Sequence, residues 1–291
     1  MFGATERVCP LPTWWAGRDA ARPNFGRARP PNDRRLRPAS LGELIRAQQL
    51  DTLAGLSTRA RVRLDSVTAL APVARPGKVC IVGLNYTDHA REIGAEPPTS
   101  PRFSWAAGSS VVGPLDDIVL PPVASEHVDY EGELAVVIGS PVAAADRAQA
   151  WRAVAGLTIA NDVSARDVQR GNAGHGGVAN TSVAKSFDTF TPLGPALLTV
   201  EDLDPRIALH ITTTIDGELR QSSTTANMLF GIDELVSRIS HYATLEPGDV
   251  ILTGTPAGVG MTSGRFLRAG QLVQVEIENI GRLSNRVVHA Q

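Results

Sequence analysis

The chain reads as a mixed α/β protein with more strand than helix, on three observations. From Ala71 onward, short apolar and β-branched runs are separated by turn signals. Helical spacing interrupts them at only a few places. The runs are not joined by regular crossover helices, and no G-x-G-x-x-G or G-x-x-x-x-G-K-[ST] follows one, which disfavours a doubly wound nucleotide fold.

Length and composition bound the rest. A chain of 291 residues with 43% hydrophobic and 20% charged residues can bury a full core without disulfide or metal support. No run approaches the roughly 18 apolar residues of a membrane span, so an integral membrane protein is not expected. With 28 basic against 30 acidic residues the net charge is -2, and no overall field would gather nucleic acid. Cys9 and Cys80 are the only cysteines, too few for a disulfide framework and wrongly spaced for a zinc knuckle, which fits a reducing compartment. The start, MFGATERVCPLPTWW, lacks the charged onset and uninterrupted apolar stretch of a secretion signal, so the expected location is cytoplasmic.

Taken in order, residues 1–72 form a separate compositional unit with 12 Arg against 6 acidic residues, expected as a small N-terminal domain or arm before a catalytic body at 73–291. The Arg- and Pro-rich stretch Ala21 to Pro38 blocks regular structure. In SLGELIRAQQLDTLAGL, Ser40 can cap a helix with Glu43 three residues on. The body then offers strands at KVCIVGL, DDIVLP, GELAVVIG, LTIAND, ALLTV, ALHITTTID, DVILTG and LVQVEIENIG. Cys80 falls inside the first of these as a small core residue. Helical spacing occurs near TDHAREIG, around AADRAQAWRAVAG and in MLFGIDELVSRISHYA, where Met228, Ile232, Leu235, Val236 and Ile239 share one face.

Several segments carry chemistry. In Val128-Asp-Tyr-Glu-Gly-Glu-Leu the strand period of two places Asp129, Glu131 and Glu133 on one face. That pattern fits either an exposed acidic face or an all-oxygen divalent cation site, because crowded like charges need a cation or a raised pKa. Asp162 ends the strand LTIAND, and three carboxylates from neighbouring strand ends suit Mg²⁺, which keeps waters or substrate oxygens in its other positions. No pair of the six His has zinc-site spacing. Arg166 and Gln169, on a turn of helix beyond Asp162, are candidates to hold a substrate carboxylate or are ordinary polar residues. The chain uses 26 Arg but only two Lys, Lys78 and Lys185, and an ammonium such as that of Lys185 can face a developing oxyanion as a compact charge. His89 and Glu92, spaced i and i+3, form either a surface ion pair or a base whose tautomer the carboxylate fixes. The loop with Gly254, Gly258 and Gly260 brings backbone N–H groups and the Thr255 hydroxyl within reach of an anionic ligand, or is simply a turn.

In this order, GLNYTDHAREIG, DYEGEL, NDVSARDVQ, AKSFDTFTPLGP and LEPGDVILTGTPAGVG resemble the fumarylacetoacetate hydrolase family over about residues 75 to 289. The resemblance implies a β-roll catalytic domain that usually dimerises. It implies Mg²⁺, sometimes replaceable by Mn²⁺ or Ca²⁺, held at the positions of Glu131, Glu133 and Asp162, with Asp129 adjacent but not a ligand. It also implies water activation by a His/Glu pair on a mobile lid, matching His89 and Glu92, with help from a lysine matching Lys185. The chain departs from the pattern at Ala106, where many relatives have Lys. The loop 170–182, with His175, is longer than usual, and Thr181 stands where an aromatic residue is common. These departures bear on substrate choice.

The function expected from these readings is Mg²⁺-dependent hydrolysis of a carbon-carbon bond in a 2-oxo or 1,3-dicarbonyl acid, a small-molecule substrate. The alternatives are decarboxylation or isomerisation of a related acid on the same metal site, and a relative that keeps the fold and binds ligand without turnover.

Overall fold

A computed structural model describes residues 41–48, 50, 68–172 and 177–290. Most of the N-terminal segment, including Ser40 and Cys9, and His175 of the long loop lie outside the described residues.

The elements run α1 (Leu41–Arg46), β1 (Val79–Gly83), α2 (Thr87–Glu92), β2 (Arg102–Ala106), β3 (Val111–Val112), β4 (Ile118–Leu120), β5 (Val128–Asp129) and β6 (Gly132–Ile138). Then come α3 (Arg147–Arg152), β7 (Val154–Asn161), β8 (Ser164–Ala165), α4 (Arg166–Arg170), α5 (Thr181–Ala184) and β9 (Thr191–Thr199). The last are β10 (His210–Ile215), β11 (Glu218–Thr224), α6 (Ile232–Ser240), β12 (Val250–Leu252), α7 (Gly260–Ser263), β13 (Leu272–Ile277) and β14 (Gly281–His289). A seven-stranded sheet in the order β2-β1-β12-β6-β7-β9-β3 faces a five-stranded sheet, β11-β10-β13-β14-β4, and β5 pairs with β8 in a two-stranded ribbon. Pairing is mostly antiparallel; the parallel pairs are β1 with β12, β3 with β9 and β14 with β4. The strand-rich mixed fold is therefore as the runs indicate, and among the described residues the sheets are not doubly wound.

Strand β6 is central because its sequence is apolar on both faces. Leu134, Val136 and Ile138 enter a core shared with Ile211, Val275 and the α6 residues Ile232, Leu235, Val236 and Ile239. Ala135 and Val137 face the opposite way, into a second core with Val79, Val250 and Leu252. A strand covered on both sides reads as a continuous hydrophobic run, and every residue of β6 is buried. Leu41 and Ile45 of α1 belong to this second core, so α1 packs against the sheet that carries β6. In the α6 region Met228 is buried as expected but precedes the helix, which begins at Ile232. Cys80 is buried in β1, and burial, reinforced by the charge of Asp249, pushes its thiol far above the ordinary range.

One expectation needs correction. The acidic segment is not a single strand: β5 ends at Asp129, β6 starts at Gly132, and each pairs with a different partner. Asp129 therefore sits outside the triad of Glu131, Glu133 and Asp162, sharing Arg166 with Glu131 and accepting from the first turn of α7.

Candidate active site

Register brings the acids together. In the antiparallel pair of β6 and β7, Gly132 stands opposite Asn161, so Glu131 and Asp162 meet just beyond the strand ends. The Asp162 N–H donates to the Glu131 carbonyl at 2.8 Å, closing that corner. Glu133 lies one β6 repeat further in, and one carboxylate oxygen from each of Glu131, Glu133 and Asp162 lies within 4.8 Å of the others. All three side chains are buried. Two unit charges at that spacing repel by roughly 3–4 kcal/mol at an effective dielectric of about 20, so the arrangement needs cations.

Two are supplied by the chain. Lys185, at the C-terminal cap of α5, donates from Nζ to Glu131 Oε2 at 2.7 Å and also to Asp162 Oδ2. Arg166 opens α4 and donates from Nη2 to Glu131 Oε1 at 2.5 Å and from Nε to Asp129 Oδ2 at 2.9 Å. Counting Asp129, four buried carboxylates face two buried cations, a formal surplus of two negative charges. The titration of the acids follows this imbalance. Burial raises Glu131, but Lys185 and Arg166 outweigh it and hold that carboxyl below the ordinary range. Burial, then the charges of Asp162 and Glu131, drives Glu133 well above it. Burial pushes Asp162 up to about 7 against the opposing charge of Lys185. Burial alone would lower Lys185, yet Asp162 and Glu131 keep it raised and ionised.

The residues fit a divalent cation. Asp162 Oδ1 is buried without a hydrogen-bond partner, an acceptor left for a ligand to satisfy. The donor set is all carboxylate oxygen, the chemistry of hard cations, and the surplus of two charges matches one of them.

A second pair lies on α2. His89 Nδ1 is 2.9 Å from Glu92 Oε2, and both side chains are largely buried, so this is more than a surface ion pair. Glu92 Oε1 accepts from the Gly258 N–H at 2.9 Å and from Thr262 Oγ1 at 2.7 Å. The same glycine-rich loop reaches the acidic cluster at its other end, where the Gly254 N–H donates to Glu133 Oε2 at 2.6 Å. Gly254 has φ +100 and Gly258 φ +108, backbone that a side chain would strain. A Cβ at Gly258 would meet the Arg220 carbonyl oxygen at 2.0 Å.

The other candidates take particular places. Gln169 accepts from Arg166 Nη1 at 2.8 Å through its side-chain oxygen, leaving its amide nitrogen for another partner. Thr255 is committed inside the fold, donating to the Gly132 carbonyl at 3.0 Å and accepting from Gln221 at 2.8 Å. Ala106 ends β2 beside Ala107, whose N–H donates to Ser186 Oγ at 2.9 Å, which brings residue 106 near Lys185. Thr181 opens α5, and Gly171, at φ +77, ends α4. Sequence reasoning passed over Thr262 and Gln221, which serve the site through partners far away along the chain. The Gly-rich loop gave the only signal pointing to their neighbourhood.

The family model described as fumarylacetoacetate (FAA) hydrolase C-terminal matches residues 78–288. The chain is 48% identical over 226 residues to the Bos taurus protein named oxaloacetate tautomerase FAHD2B, mitochondrial, covering 77% of this chain and 70% of that one. It is 46% identical over 226 residues to the Homo sapiens oxaloacetate tautomerase FAHD2A, mitochondrial, with the same coverage. Among solved structures it is similar to 5-carboxymethyl-2-hydroxymuconate delta-isomerase from Mycobacterium smegmatis, at TM-score 0.69 and 42% identity over 80% of this chain and 86% of that one. It is also similar to fumarylacetoacetate hydrolase from Exiguobacterium antarcticum, at TM-score 0.72 and 36% identity over 86% and 88%. Strand-rich fold, motif order and these likenesses agree, and the chain belongs to the fumarylacetoacetate hydrolase family of enzymes.

Proposed function

We propose that this enzyme interconverts the keto and enol forms of a 2-oxo acid of the oxaloacetate type, moving a proton between carbon and oxygen in a divalent-cation-dependent site. The observation that carries the reading is that one loop joins a buried carboxylate cluster, with more carboxylates than cations, to a carboxylate-oriented histidine. The names of the 46–48% identical relatives support proton transfer over bond cleavage.

Glu131, Glu133 and Asp162 would hold the cation, Mg²⁺ by the hardness of its donors, with Mn²⁺ or Ca²⁺ as substitutes. When bound, it supplies the positive charge that makes negative charge on a 2-oxo oxygen less costly. Glu92 at His89 Nδ1 favours the tautomer with the proton on Nδ1, which leaves Nε2 as the base. His89 Nε2 takes the proton from the carbon beside the 2-oxo group, and the imidazolium returns it to the enolate oxygen; the reverse step restores the ketone. Lys185, kept ionised by its carboxylate neighbours, faces the oxyanion. Arg166 is occupied by Asp129 and Glu131, so it orients the cluster, and Gln169 has its amide nitrogen to donate to a substrate carboxylate. Thr255 holds the loop in place through Gly132 and Gln221.

The enol of oxaloacetate absorbs in the ultraviolet, so ketonisation can be followed directly. EDTA should abolish acceleration and Mg²⁺ restore it; a metal-free enzyme working at full rate would overturn the reading. Carbon-carbon hydrolysis is the second reading, favoured because the same buried His89 and Glu92 pair suits water activation. Solvent ¹⁸O appearing in a released acid would select it, and release of carbon dioxide would select decarboxylation.

The assembly and its setting belong to the same proposal. The catalytic unit comprises residues 73–291 with 1–72 as an arm, works as a homodimer as the family resemblance implies, and acts on a small oxo acid rather than nucleic acid. No helix among the described residues is long and apolar enough to cross a membrane. The two cysteines suit a reducing compartment, cytoplasmic or mitochondrial.

A further inference from the structure

Asp129 is fully buried, lies outside the carboxylate triad, and collects donors from three parts of the chain. Its Oδ1 accepts from the N–H groups of Gly260 at 2.7 Å and Tyr130 at 2.9 Å. Its Oδ2 accepts from the Met261 N–H and from Arg166 Nε, both at 2.9 Å. The fit leaves no spare room: a Cβ at Gly260 would stand 2.6 Å from Asp129 Oδ1. One carboxylate thus fixes both Arg166, which holds Glu131, and the segment 258–262, which holds Glu92. The segment is braced again by Tyr130 Oη, which donates to the Gly258 carbonyl at 3.0 Å. At the front of α2, Asp88 accepts from Ser223 Oγ at 2.5 Å. The rear of the helix, where Glu92 orients His89, is held by the Gly258 N–H and the Thr262 hydroxyl.

We infer that Asp129 and the segment 258–262 form a relay that sets the His89 and Glu92 pair relative to the carboxylate cluster, and that Thr262 is its exposed positioning residue. This inference deepens the proposed proton-transfer reading and rests on it for the kinetic arm of its test. Thr262 touches no reacting atom. It acts through Glu92: its hydroxyl lies 2.7 Å from Glu92 Oε1 and 2.9 Å from the Val259 carbonyl, and its one proton goes to the charged and nearer acceptor, supplying one of the two hydrogen bonds that hold Oε1 while Oε2 holds the imidazole.

Thr262 is exposed, so replacing it spares the core. Thr262→Val loses the hydroxyl at nearly constant shape, and Thr262→Ser keeps it. Loss of one hydrogen bond to a charged group should lower kcat about tenfold, with KM within twofold, and Thr262→Ser should stay within twofold of wild type. In a Glu92→Ala background, which removes the acceptor, Thr262→Val should have no further effect, because the relay acts through that carboxylate. Hydrogen–deuterium exchange on the full chain gives an arm that needs no turnover: amides of residues 87–93 should exchange faster in Thr262→Val and not in Thr262→Ser, with β6 unchanged. Unaltered exchange at 87–93 in Thr262→Val would overturn the relay whatever the reaction proves to be. Unaltered kcat would overturn it equally. Faster exchange in a protein that catalyses no ketonisation would keep the relay and remove the proposed reaction.

Discussion

Lys185 shows how much one residue can be asked to do. It is one of two lysines in a chain with 26 arginines, and it sits between Glu131 and Asp162 as the single ammonium of the cluster. Removing one partner of a buried charge network costs about 3–5 kcal/mol because the remaining charges lose their compensation. Lys185→Met should therefore melt well below wild type in EDTA and recover more of its melting temperature on adding Mg²⁺; equal melting in EDTA would show that the ammonium is not needed to hold the acids. Asp162 carries a prediction of opposite sense to the usual carboxylate. Its pKa rises on folding from 3.8 to about 7, mainly through burial. An acid of this kind takes up a proton on folding, so metal-free stability falls as pH rises through that interval. Chemical denaturation in EDTA at pH 5 and pH 8 should show this loss, and saturating Mg²⁺ should diminish it; the same pH dependence with and without Mg²⁺ would contradict the assignment. The triad and Lys185 were legible because acidic alternation and rare residue usage are local signals. Thr262 was not, since a threonine 170 positions from its carboxylate partner leaves no mark in spacing.

Among the elements, β6 and β7 build the site, because their antiparallel register alone places Glu131 beside Asp162. The residue between Glu131 and Glu133, the first of β6, must be small. A Cβ at Gly132 would lie 2.3 Å from Thr213 Oγ1 and 2.9 Å from Val275 Cγ1, both on the facing sheet. Gly132→Ala should cost about 1–3 kcal/mol as overpacking and weaken cation binding by displacing Glu131; a variant as stable as wild type in urea would show that the facing sheet yields freely. The apolar runs of β1, β6, β7, β10, β12 and β13 were readable as strands, and α2 was readable from TDHAREIG. The edge strand β11 was not, because ELRQSST is polar and owes its pairing to β10. Strand β14 was missed despite a period-two signal, with Leu283, Asn285 and Val287 buried between exposed arginines. The break after Asp129 escaped notice for another reason: alternation continues through it while the pairing partner changes.

At the scale of the molecule, two sheets and a docked helix serve to bring four separated stretches of sequence around one buried charge cluster. Order of motifs along the chain identified the family, whereas the reaction depends on what the cluster and the histidine do together. Everything turns on Glu131, Glu133 and Asp162 sharing one divalent cation, and Glu133 offers the cleanest test. Its carboxyl is raised by burial and by its acidic neighbours, so Glu133→Gln resembles the metal-free protein and keeps an acceptor for the Gly254 N–H. Isothermal titration with Mg²⁺ should give one site per chain for wild type and none for Glu133→Gln, the variant retaining its circular dichroism spectrum. Equal affinity in the two proteins would contradict the account.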